Sequence, residues 1–283
     1  MKFKAFWILF SILMITSSCF HQTDGEKIRW NEFYVRLLFF ESVAFTLHGS
    51  KPMTVMMLDH RAKEEKDKER RERAQGENEV SIEYDPKYDF EESWRLWEKN
   101  LKKDKINNYI IAHFPMKASD LDFVYIINII ETATIIKTHY SLFRDYIGFD
   151  FDPLEIIFEI YNENSVFWNK LLNNEKTIPE SVCLLGILFG YGIENSYPYS
   201  LLFDDERTGL SKKFTSALLN QVIKEPHPTT VKKLSAKDFF IPGFKTFSLL
   251  KTKRMRYEQE KIEIMNIYRR KDLEAETLRK LYD

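Results

Sequence analysis

NYIIAHF (Asn108 to Phe114), then Pro115, a short polar turn and the apolar run FVYIINII (Phe123 to Ile130) decide the fold. Both runs are rich in β-branched and aromatic residues and are bounded by turn formers, the pattern of two strands joined as a hairpin. Val80 to Tyr84 is short and of similar composition and is a third strand candidate. The competing reading is helical from Ser119 onward, because Ser119 and Asp122 have the spacing of a capping pair. Almost everything outside this stretch has helical periodicity. The expected fold class is therefore mainly α (α+β), a helical bundle-like body with a small β-hairpin around residues 108–130.

Working toward the N-terminus, Trp94, Trp97 and Leu101 recur at helical spacing within Glu91 to Lys105 and define a core-facing stripe. Asp59 to Glu79 (DHRAKEEKDKERRERAQGENE) has no large apolar residue. The pairs Glu64/Lys68, Asp67/Arg71 and Glu69/Arg73 sit at i,i+4, each supporting a solvated helix by about 0.2–0.5 kcal/mol. A disordered polyampholyte is the alternative, and a partner-binding arm the functional reading. Ile28 to His48 is apolar on most faces, interrupted by Arg36 and Glu41, and reads as one buried helix stopped by Gly49.

Toward the C-terminus, Thr132 to Ile147 reads as a helix ending at Gly148. From Asp152 the chain reads as helical hairpins: Pro153 suits a first turn, Asn162 to Asn164 breaks, Phe167, Trp168, Leu171 and Leu172 form a stripe, and Pro179 starts again. LLGILFGYGIENS (Leu184 to Ser196) carries Gly186, Gly190 and Gly192, but no Lys-Ser/Thr of a phosphate loop follows. Close helix packing at Gly186 and a stop at Gly190-Tyr191-Gly192 are expected instead. Lys212 to Lys224 is a further helix, halted by Pro226 and Pro228, and Phe239 to Phe244 an apolar turn. The tail, 251–283, is one long helix or two broken near Lys271, with Tyr257, Ile264, Tyr268, Ala275, Leu278 and Tyr282 on its stripe.

The chain has 283 residues, 42 Lys+Arg against 43 Asp+Glu, 44% hydrophobic and 15% aromatic residues, enough to fill a sizeable core. Balanced charge argues against nucleic acid as a partner, and two cysteines cannot form a disulfide framework. The balance hides segregation. Asp145 to Glu206 has twelve acids and two bases, whereas Lys224 to Arg256 has nine bases and two acids. Either the basic segment lies across the acidic helices, or it serves anionic lipid headgroups or an acidic partner through residues such as Lys232, Lys233, Lys251 and Lys253.

At the N-terminus, Lys2 and Lys4 precede an apolar stretch from Phe6 to Ile15, followed by Thr16-Ser17-Ser18 and Cys19. This is the layout of a secretory signal, and its ten-residue stretch, apolar but for Ser11, is roughly half of the ~20 residues a spanning helix needs. Ser17-Ser18-Cys19 resembles a bacterial lipobox, departing from it at Thr16, where that pattern has Leu, Val or Ile. The resemblance implies lipid attachment at Cys19 and cleavage before it; a plain signal peptide or an uncleaved anchor are the alternatives. FTLHGSKPMT (Phe45 to Thr54) and LLGILFGYGIENS resemble segments of uncharacterised chlamydial lipoprotein-like proteins, a group with no activity to carry over. The implied organisation is a signal peptide at 1–18, a tether at 19–27 and a single mainly helical domain at 28–283.

No GxSxG nucleophile elbow or HExxH zinc helix is present, and no catalytic, cofactor-binding or metal-ligating residue is assigned. His21, His48, His60, His113, His139 and His227 are scattered. Only His60/Glu64 has i,i+4 ligand spacing, and His113 and His139 are near enough in sequence to meet across a fold. Asp204-Asp205-Glu206 reads as a helix-boundary cap, and Cys183, in VCLLGILF, as a buried inert thiol. The expected function is a lipid-anchored protein of the bacterial cell envelope, on the outer membrane or periplasmic face, with a binding or structural role toward an envelope protein or anionic lipid. An envelope hydrolase acting on glycan or peptide, or a secreted effector, are the competing classes.

Overall fold

The computed structural model describes residues 24–62, 64–66, 68, 69, 88–115, 120–172, 179–201, 242 and 252–283. The protein is mainly helical with a small antiparallel sheet, and the expected hairpin is present as β2 (Tyr109–Pro115) and β3 (Leu121–Asn128). The helical alternative from Ser119 fails over Leu121 to Asn128. This run is buried by layers on both sides, which suits an extended, nearly continuous apolar strand.

The third strand is β1 (Met53–Asp59), which pairs with β3 to give the order β1-β3-β2. Val80 to Tyr84 lies outside the described residues. The period-2 pattern of MTVMML is visible once the strand is known: Met56 and Leu58 face one core with Ile111, Val124 and Ile126, while Met53 faces the other with Ile110, Ala112, Tyr125 and Ile127. The sheet is therefore the middle layer, with helices against both faces, rather than an appendage to a bundle.

The first layer comes from both ends of the chain. It holds α1 (Asp24–Val35), α2 (Val43–His48), α3 (Phe90–Asn100) and the C-terminal pair, which follows the remaining helices in chain order. The second layer is nearly contiguous: α4 (Ile129–Thr138), α5 (Tyr140–Ile147), α6 (Glu155–Phe158), α7 (Val166–Leu172), α8 (Pro179–Leu188) and α9 (Ile193–Ser200). The C-terminal pair is α10 (Thr252–Tyr268) and α11 (Leu273–Tyr282).

Several boundaries differ from the sequence expectation for definable reasons. Ile28 to His48 is not one helix: Arg36–Phe40 is a π-helical turn, and Ser42 is left-handed at φ 63°. The widened turn lets three successive apolar residues, Leu37, Leu38 and Phe39, all be buried, and the break turns α2 onto the sheet. Asp24 to Lys27, expected in a tether, begin α1, where Asp24 and Glu26 suit the positive end of the helix dipole. Asn128 caps α4 by accepting from Glu131 N at 3.1 Å, so that helix starts before Thr132, and it is divided from α5 at His139.

The tail breaks between Tyr268 and Leu273, near Lys271, with Arg270 at φ 61°. Tyr257, Ile264 and Tyr268 are buried as the stripe requires, but the break resets the helical phase: Leu281, Glu276 and Thr277 are buried in α11, and Ala275 is exposed. Trp94, Trp97 and Leu101 are core residues, and Asp89 caps α3 by accepting from Glu92 N. A Cβ at Gly186 would lie 2.5 Å from Ser196 Oγ, which accounts for the close α8–α9 approach. Pro242, in the apolar turn Phe239 to Phe244, is buried; the rest of that turn, Lys212 to Lys224, and residues 70–79 of the charged segment lie outside the described residues.

Candidate functional site

A dense group of titratable side chains lies where β1, β2, β3 and α3 meet. The hairpin register sets Pro115 opposite Asp122 and His113 opposite Val124, so His113 and Asp122 are diagonal neighbours on one face of the sheet. His60, one residue past β1, reaches the same place. Its Nε2 donates to Asp122 Oδ2 at 2.6 Å, and His113 Nε2 donates to that oxygen at 2.9 Å. On the far side of the His113 ring, Nδ1 donates to Glu98 Oε2 at 3.2 Å, an oxygen that also accepts from Trp94 Nε1 at 3.2 Å. Lys103 Nζ donates to Glu98 Oε1 at 2.9 Å, and Arg95 reaches His60 Nδ1 at 2.7 Å.

These contacts fix the protons. Both ring nitrogens of His113 face carboxylate oxygens, which can only accept when ionised, so His113 is the imidazolium. Arginine can only donate, so His60 Nδ1 accepts and the proton of that ring sits on Nε2. The Glu98 bond, working against burial and helped by Asp122, raises the His113 pKa. The same bond, opposed by burial and reinforced by Lys103, holds the Glu98 carboxyl down at about 2. Burial pushes Asp122 upward, but the bonds from His113 and His60 win and its carboxyl is held below the usual range. The cluster therefore spends its polar capacity on itself. It pins three strands to α3 and presents neither a nucleophile nor a vacant set of ligands.

Two more perturbed groups, half-buried His48 and buried Lys51, lie where the first layer closes. His48 Nε2 is 3.0 Å from Tyr268 Oη, the rings meet edge to face, and burial, assisted by Lys280, pushes the imidazole down to about 4. Lys51 is buried beside Gly190, and desolvation, partly offset by Glu41, lowers its ammonium to about 7. A separate shallow crevice between α1 and α3 is lined by Arg29, Glu32, Phe33, Arg36, Tyr88, Phe90 and Ser93. Its interior has room for about one water, which would satisfy the buried Arg29 Nε and Glu32 Oε2 that lack hydrogen-bond partners.

Compared with protein-family models, curated proteins and solved structures, the chain matches none. Function has to be argued from the chain itself.

The structure regroups the histidines. His60 turns to Asp122 and Arg95 rather than serving as a ligand pair with Glu64, and His113 is joined to Glu98 and Asp122 while His139 lies in the field of Glu194 and Lys253. Among the described residues, no group of three or more His, Cys, Asp or Glu is placed to hold a metal ion. Cys183 is buried and desolvation pushes its thiol up to about 11, away from nucleophilic use. Cys19, His21, Asp204-Asp205-Glu206, His227, Lys232, Lys233 and Lys251 lie outside the described residues. Of the charged segment, Asp59 ends β1, Arg61 pairs with Asp59 at 2.6 Å, and Lys66 pairs with Asp89 and Glu91. Its head is therefore pinned to the body rather than fully solvated. Among the described residues no helix is long and apolar enough to cross a membrane.

Proposed function

We propose that this protein is a lipid-anchored component of the bacterial envelope with a binding or structural role, held by acyl chains on Cys19. The observation that carries the reading is the order of residues from Met1 to Cys19: two lysines, an apolar stretch too short to span, small residues, then cysteine. The position of α1 is consistent with it. Asp24, the first residue of α1, is five residues past Cys19, a span of at most about 17 Å, so a Cys19 anchor would hold α1 close to the bilayer surface. Each buried methylene contributes about 0.8 kcal/mol, so multiple acyl chains suffice without a spanning helix. A binding or structural role fits a titratable cluster whose groups are saturated by one another.

Mass spectrometry of the N-terminal peptide from membrane fractions tests this. The expected result is a chain beginning at a diacylglyceryl-modified Cys19 that partitions into detergent, with Cys19→Ala losing that partitioning. An unmodified chain in the soluble fraction would overturn the anchor and restore the hydrolase and effector readings.

A further inference from the structure

The segment LEIIFEIY (Leu154 to Tyr161) carries both buried and exposed large apolar residues. Ile156, Ile157 and Ile160 are buried in the second layer, at 3%, 0% and 1% exposure. Leu154, Phe158 and Tyr161, spaced i, i+4 and i+7 along α6 and the 3-10 turn Glu159–Tyr161 that follows it, are exposed at 45%, 54% and 62%. A surface segment ordinarily turns charge outward; this one leaves three large apolar side chains exposed within eight residues. The row is held rigidly. Asp152 Oδ1 accepts from Leu154 N and Glu155 N, Trp168 Nε1 donates to Ile156 O at 2.8 Å, and Tyr161 Oη donates to Ile111 O on the outer edge of β2 at 3.0 Å.

The rim gives the row its chemical preference. Glu155, Glu159 and Glu163 flank it, and there is no Lys or Arg between Asp145 and Glu163. Glu159 accepts from Ser165 at 2.8 Å, and no ion pair engages Glu155, Glu159 or Glu163 among the described residues. Carboxylates with no ion-pair partner among the described residues, set around an apolar centre, repel an anionic bilayer and attract a cationic polypeptide.

We propose that Leu154, Phe158 and Tyr161, rimmed by Glu155, Glu159 and Glu163, form the docking surface for a basic amphipathic segment of a protein partner. The partner's apolar side chains cover the row and its Lys or Arg side chains meet the rim. This is the helix-against-apolar-stripe mode of peptide recognition, with charge setting orientation and encounter rate. The surface is independent of the N-terminal anchor and stands whether or not Cys19 carries lipid.

The test uses the full chain and a fluorescent synthetic helix with Leu at i, i+3, i+4 and i+7 and Lys elsewhere. Its counterpart carries Glu in place of Lys. The Lys peptide is expected to bind, more weakly as salt rises, and the Glu peptide not to bind. Leu154→Ser with Phe158→Ser should weaken binding at least tenfold without lowering the unfolding temperature, because both side chains are already exposed. Glu155→Gln with Glu163→Gln should weaken it several-fold. Failure of the Lys peptide to bind, or binding indifferent to the serine variants, overturns the proposal. So does Phe158-dependent sedimentation with phosphatidylglycerol vesicles, which would make the surface a bilayer contact, or Phe158-dependent self-association in the ultracentrifuge, which would make the occupant a second copy.

Discussion

The two layers that cover the sheet are built from different parts of the chain and from different chemistry. One is closed by the chain's ends: Phe33 to Leu47 packs with Tyr257, Ile264, Tyr268 and Leu281, more than 200 residues away, and it holds half-buried His48, buried Lys51 and six tyrosine or tryptophan rings at 5% exposure or less. The other is filled by a nearly continuous stretch, Ile129 to Leu188, whose side chains are mainly aliphatic with Phe143, Phe167 and Trp168. Local packing closes short loops, while end-to-end packing must offset a larger closure entropy before it is stabilising. The first layer is therefore the one expected to loosen first, with the sheet as the boundary.

The most severe way to break this comparison is to end the chain before Thr252, which removes α10 and α11 from the first layer. Amide exchange should then rise strongly in α1 and α2 while α5, α7 and α8 keep most of their protection. Equal loss in both layers would mean that they unfold as one unit. A gentler version uses side chains: Trp94→Ala, fully buried in the first layer, and Phe143→Ala, fully buried in the second, should each cost about 3–5 kcal/mol in denaturant unfolding. The difference should appear in which helices exchange, not in the size of the loss.

Protons sharpen the contrast, because the perturbed histidines differ in sign. His48 has its pKa lowered to about 4 by burial, so between that value and the unfolded value near 6.5 the unfolded chain binds more protons. Stability from this site is present at neutral pH and lost as pH falls from about 6.5 to about 4, by at most about 3 kcal/mol. His48→Gln should flatten that part of the stability profile. His113, raised by its bond to Glu98, contributes fully below the unfolded value and loses the contribution as pH rises through its folded one. His113→Gln should remove stability selectively at the acidic end of that window. The His113 and Glu98 shifts describe one contact and count once. A profile unchanged by either variant would remove the electrostatic difference between the His48 site and the sheet-end cluster.

Legibility in the sequence followed the range of the interactions. Trp94, Trp97 and Leu101 declare a helix face within eight residues, and the hairpin declares itself between two dense apolar runs. Strand β1 was harder to see because Met53, Met56, Met57 and Leu58 carry weak strand preference; pairing with β3 supplies what propensity does not. The break inside Ile28 to His48 has no Gly or Pro to announce it, since a π-turn and a left-handed serine are imposed by tertiary packing. The His60–Asp122–His113–Glu98 cluster was legible in part: His113 interrupts an apolar strand and Asp122 begins the next. Only the register, with the unforeseen strand β1, brings His60 to the same oxygen. Local spacing instead suggested Glu64 and His139 as partners, which lie elsewhere.

The smallest effect probes a hydrogen bond that ties the C-terminal helices to the second layer. Tyr257 Oη, fully buried, donates to Gly190 O at 2.9 Å while its ring meets Phe45 edge to face at 5.3 Å. Gly190 sits at φ 84°, where a side chain would also collide with Tyr257, Pro52 and Lys51, so the loop between α8 and α9 is shaped around this contact. Tyr257→Phe keeps the ring and deletes the donor, leaving a buried carbonyl without that bond, and should cost about 0.5–1.5 kcal/mol. Because the bond joins the layers, the loss should appear as exchange at α10 and at the Gly190 loop together. Exchange rising at α10 alone would show that the aromatic contact with Phe45, and not the bond to Gly190, couples the chain's end to the body.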